Sequence, residues 1–150
     1  MGKLVHAFEI LGAIEKAKDQ EKINLMKEYG AKVPLSMLLT LNFRSDLKLD
    51  LPEGMPPMDT KDMDMTVHPD FQGHLGAGIH RLKNCLTTNP IKKFKKEQVF
   101  YEVMVNSPIQ DRDILCACKD KQLEELYPSI TAEFVKSVFP SYVKEEGLIQ

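Results

Sequence analysis

SPIQDRDILCACKDKQLEELYPSITAEFVKSVFP, residues 107–140, is the run that decides the fold class. Ser107 with Gln110 three residues on has the spacing of a capping box. Pro108 suits a first helical position, and Asp111 and Asp113 complement the positive end of the helix dipole. Ile114, Leu115 and Cys118 give that helix a core face, and Lys119 and Lys121 suit its end. Beyond Leu126-Tyr127-Pro128, Thr131 can cap a last helix carrying Phe134, Val135 and Val138. That helix should stop at Phe139, the residue before Pro140. Caps and stops laid over helical apolar spacing predict a compact series of helices.

Working outward, Phe94, Phe100, Val103 and Met104 predict a helix over residues 95–105. Leu75, Ile79, Leu82 and Leu86 predict another that ends near Thr88. Gly73, Gly76 and Gly78 weaken its start by about 1 kcal/mol each relative to Ala. At the other end of the chain, Leu4, Phe8, Leu11 and Ile14, with Ile10 and Ala17 beside them, predict a helix from Lys3 to Ala17. Asp19 can cap a second helix carrying Ile23, Met26 and Tyr29, with Gly30 as its C′ residue. Pro34 suits the start of a third, followed by Leu35, Leu38, Leu39 and Leu41.

The middle has a different texture. Leu47, Leu49 and Leu51 alternate with Lys48 and Asp50, which predicts a short extended segment in need of a partner. Pro52, Pro56, Pro57 and Pro69, with Met55, Met58, Met63 and Met65, then predict a long loop, the kind usually kept for function. No internal repeat is visible. The expected architecture is mainly α, a single-domain bundle of about six helices over residues 1–150. Its N-terminal helices fall in 1–45, the loop in 46–70 with room for one short extended pair, and the C-terminal helices in 71–150.

The chain has 150 residues, 43% apolar and 28% charged, which is the composition of a globular domain with a real core. A net charge of -2 gives the whole chain no pull on nucleic acid, so any anion-binding surface must be local. Three cysteines, Cys85, Cys116 and Cys118, make a poor disulfide framework and fit a reducing cytosol. The apolar run at the N-terminus is too short for a signal peptide, and nothing later approaches a membrane span. Gly2 does not complete a myristoylation motif, because the sixth position holds His6. A soluble protein of the cytoplasm is expected.

The chemistry-bearing residue types form no catalytic constellation. His74 and His80 are six apart, on different helical faces, and one residue between Cys116 and Cys118 is too tight for a zinc knuckle. Buried small thiols and surface histidines are the expected state, with no metal and no cofactor. Cys118 stands beside Lys119, but adjacent helical residues do not face each other, so no activated nucleophile results. The glycines of Gly73-His74-Leu75-Gly76-Ala77-Gly78 follow a loop where a dinucleotide fingerprint needs a strand. Asp59, Asp62 and Asp64 lack the alternation and distal Glu of a calcium loop. The linker within Pro108–Val138 is too long for a helix-turn-helix.

Two surfaces stand out instead. Arg81, Lys83, Lys92, Lys93, Lys95 and Lys96 gather positive charge, with only Glu97 opposing it. Phe94 lies inside the run, and Phe100 and Tyr101 follow. Basic residues interleaved with aromatics suit phosphate neutralisation and base stacking, although a lysine-rich solvated helix face has the same look. The second surface is the acidic, methionine-bearing loop, with Met55, Met58, Asp59, Asp62, Met63, Asp64 and Met65 able to adapt to a partner protein.

Asn42-Phe43, then Leu51-Pro52-Glu53-Gly54-Met55-Pro56-Pro57, then Lys119-Asp120-Lys121-Gln122-Leu123 and the closing Phe139-Pro140 form a recurrent set. In these motifs the chain resembles a family of small proteins from large contractile-tailed bacteriophages and cyanophages. The resemblance implies a phage protein made in a bacterial host cytosol, and it carries no catalytic signature. The expected function is a non-catalytic accessory protein. It would act in phage transcription, replication or host takeover through a protein partner such as RNA polymerase, a replication factor or a defence factor, with nucleic-acid contact through the basic patch. A virion or assembly component is the alternative.

Overall fold

A computed structural model describes residues 6–32, 34–54 and 78–143, and their regular structure is helical, with turns and irregular connections between the helices and an antiparallel bridge joining Leu49 and Leu86. The elements in order are α1 (Ala7–Lys16), α2 (Asp19–Gly30) and α3 (Leu35–Phe43), then the 3-10 helix η1 (Ile79–Cys85). After these come α4 (Lys93–Val105), α5 (Ile109–Lys119), α6 (Leu123–Leu126), α7 (Ala132–Val138) and a 3-10 turn, η2 (Pro140–Tyr142). The mainly α reading of the sequence holds. The candidate loop residues Met55, Met58, Asp59, Asp62, Met63, Asp64 and Met65 lie outside the described residues.

The helix α5 is the hub. It packs on α1, α3, α4 and α6, and its Ile114, Leu115, Cys116 and Cys118 are buried in the common core. Around it, Ile10, Leu11 and Ile14 of α1 and Leu35, Leu38 and Leu39 of α3 complete a continuous apolar interior. Each set repeats at three and four residues, the spacing that brings side chains to one helical face.

Several ends differ from their sequence signals. The capping box at Ser107 does not form: Pro108 takes the N-cap position of α5, and the buried Ser107 hydroxyl donates back to Val103 O at 2.9 Å. A serine four residues past a helical carbonyl has that acceptor within reach, and here it wins over the helix ahead. Gly30 is the last residue of α2 and not a left-handed C′ residue. Its hydrogen is required by packing, since a Cβ there would stand 2.7 Å from the Phe139 ring and 2.8 Å from Met26 Sδ. Asp19 opens α2 as its first residue rather than capping it. Thr131 does cap α7, its hydroxyl oxygen accepting from Phe134 N at 3.1 Å.

Of the helix expected around Leu75–Leu86, the described stretch Ile79–Cys85 is a 3-10 helix, in which Ile79, Leu82 and Cys85 are buried. Three residues per turn explains why positions three apart share the core face. Leu86 then leaves the helix and bridges Leu49 in antiparallel fashion. Asp50 N donates to Cys85 O at 2.8 Å and Thr87 N to Lys48 O at 2.9 Å. The partner that the Leu47–Leu51 segment needs is therefore the chain just after η1.

Candidate partner-binding surface

The basic residues of the sequence divide into three groups. Lys96 is 2% exposed and is no surface residue, which corrects its place in the expected patch. It occupies the α4 core stripe with Phe100, Val103 and Met104, at spacings of four, seven and eight. Its ammonium donates to Leu86 O at 2.8 Å and to Asp50 Oδ2 at 3.2 Å, so it fastens α4 to the bridged pair. A buried ammonium with two acceptors in reach is held, not idle. Arg81 is also engaged, its guanidinium 2.6 Å from Glu102 on α4. Lys83 lies apart from the run, exposed beside an apolar groove of about 260 Å³ lined by Met37, Leu41, Leu47 and Leu82.

The remaining residues form a ridge at the start of α4. Ile91 is 40% exposed and Phe94 61% exposed, and Lys92, Lys93 and Lys95 stand exposed around them. Among the described residues no carboxylate pairs with these three lysines. Lys92 is the N-cap, contributes no side-chain cap, and no acidic residue occupies the first turn. Cations at a helix N-terminus oppose the dipole, typically by 0.3 to about 1 kcal/mol each at exposed sites. Folding of α4 therefore gains nothing from this arrangement. Phe94, expected from its spacing to mark the core face, stands on the opposite side.

Three of the motifs quoted from the sequence meet elsewhere, at the C-terminal end of α5. Lys119 Nζ donates to Pro52 O at 2.7 Å and to Asp120 Oδ1 at 2.7 Å. The second oxygen of Asp120 accepts from Gly54 N at 2.9 Å. Lys121, left-handed at φ 60°, donates to Leu41 O, Arg44 O and Leu47 O at 2.6–2.7 Å. Asn42 Oδ1 accepts from Leu123 N at 3.0 Å, which caps α6. Asn-Phe, Leu-Pro-Glu-Gly and Lys-Asp-Lys-Gln-Leu are thus one structural joint. Asn42, Lys119, Asp120 and Lys121 all turn their side chains to partners in the chain itself, which is the chemistry of a clamp.

The thiols are inert. Burial pushes Cys85 and Cys116 up to about 11, and Cys118 higher still, so all three stay protonated at neutral pH. Among the described residues no group of His, Cys, Asp and Glu is placed to hold a metal, and no helix is long and apolar enough to cross a membrane.

A family model described as a family of unknown function, DUF6433, matches residues 10–125. The chain belongs to that family. No curated protein and no solved structure matches it. The DUF6433 match opens inside α1 and closes inside α6, so it takes in the α4 ridge and the whole clamp around Lys119–Leu123. The helix α7 and the turn η2 lie beyond it.

Proposed function

We propose that this chain is a non-catalytic binding protein whose partner is anionic and is met by the ridge of Ile91, Lys92, Lys93, Phe94 and Lys95. The observation that carries this reading is the coincidence of three lysines that have no carboxylate partner among the described residues with an exposed aromatic at a helix end they do not stabilise. A single exposed apolar side chain is ordinary on any protein surface. An exposed Phe set among lysines whose charge opposes the local dipole is harder to attribute to folding, and an anionic partner reverses the sign of that cost. The setting proposed for that binding is an accessory role in phage nucleic-acid transactions or in host takeover.

The test is salt-dependent retention on an immobilised polyanion such as heparin. The triple variant K92E/K93E/K95E should elute at clearly lower salt than wild type. Acidic residues suit a helix N-terminus, so this variant should melt at the same temperature as wild type or slightly above it. Equal elution of the two folded proteins would show that the ridge is only a solvated face.

A further inference from the structure

We infer that the ridge takes single-stranded nucleic acid, a base stacking on the Phe94 ring while Lys92, Lys93 and Lys95 neutralise the adjoining phosphates. This rests on the anionic-partner reading above and narrows it to one class of polyanion. The ring of Phe94 is 61% exposed and its sequence neighbours on both sides are lysines. In a duplex the bases are stacked on one another, so a protein surface would meet the phosphates and leave the ring in water. In a single strand every unpaired base offers a face, and base–aromatic stacking joins backbone neutralisation in one footprint. Ile91, 40% exposed, adds apolar contact next to the ring.

The ridge also indicates what kind of readout to expect. Ile91, Lys92, Lys93, Phe94 and Lys95 include no Arg, Asn or Gln, whose planar groups read base edges, and a lysine ammonium placed on a phosphate acts as a point charge. Binding should therefore tolerate any sequence. Three lysines on phosphates give log K against log salt a slope of about -2 on a single strand. An acidic peptide is the competing occupant. It would satisfy the same lysines but needs only apolar bulk, not a π face, at position 94.

The experiment measures binding of wild-type protein to labelled oligothymidylate and oligouridylate, to a duplex of equal length, and to polyglutamate. Wild type should prefer the single strands, with that salt slope. F94L, which keeps apolar bulk but has no ring face, should bind single strands roughly tenfold more weakly with the slope unchanged. F94W should restore binding. If F94L binds oligonucleotides as wild type does while K92E/K93E/K95E does not, the single-strand inference is overturned and the anionic ridge stands. Polyglutamate bound as tightly as the oligonucleotides has the same consequence. If the charge reversal changes neither oligonucleotide binding nor heparin retention, both readings fall together.

Discussion

Asp111 illustrates how single side chains close this fold across long stretches of chain. It sits on α5, fully buried, yet its carboxylate accepts from Ala7 N at 3.2 Å and from Phe8 N at 2.8 Å, the open amides at the start of α1. Arg112 beside it donates to Met104 O at 2.7 Å and to Ser107 O at 3.2 Å, closing the C-terminal end of α4. Each charge faces the helix end of opposite sign. Burial raises the Asp111 carboxyl above its ordinary 3.8, against the pull of the two amides. The folded state thus holds this proton more tightly than the unfolded chain. The associated stability is fully present below the ordinary carboxylate range and is lost as pH rises through the raised value. D111N cannot ionise, so its melting temperature should gain on wild type as pH rises through that window; parallel curves would contradict this. D111A leaves two buried amides without an acceptor and should cost about 1–3 kcal/mol in thermal or denaturant melts.

At the scale of elements, the helix faces were legible in the sequence and many of the ends were not. Apolar residues three and four apart record burial directly, which is why α1, α3, α5 and α7 stand where their spacing puts them. A cap records only whether a partner is near in sequence, and here most partners are far. Ser107 and Gln110 carry the local signature of a capping box, while the acceptor that Ser107 uses belongs to α4. Lys96 reads as one more exposed lysine because nothing adjacent shows that Leu86 O and Asp50 will reach it. For the same reason the ridge was legible at Lys92, Lys93, Phe94 and Lys95 but not in its limits. Gly30 invites a left-handed cap, whereas its real constraint comes from Phe139, on the far side of the molecule in sequence. G30A should therefore destabilise the protein by about 1–3 kcal/mol through crowding of α2 against the Phe139 ring at the end of α7. Adding F139L should recover part of the loss in a double-mutant cycle, an outcome that backbone strain at position 30 would not produce.

For the molecule as a whole, the clamp at the end of α5 binds the chain between α3 and Gly54 to the C-terminal half. Lys121 alone holds two carbonyls of that segment, Arg44 O and Leu47 O, together with Leu41 O of α3. K121M should cost about 1 kcal/mol, allowing for the side chain's exposure. More tellingly, amide exchange at Asp50 and Thr87 should quicken while that of α7 stays unchanged, a pattern readable by hydrogen–deuterium exchange. Uniform exchange across the chain would show that the clamp has no local role. The long reach of these ties also sets an order of events at the ribosome. Ala7 and Asp111 are 104 residues apart, so at ordinary rates of synthesis α1 is made roughly 5–20 s before its capping carboxylate exists. Until then the start of α1 lacks the group that closes it. The closing of α1 therefore waits on the synthesis of α5.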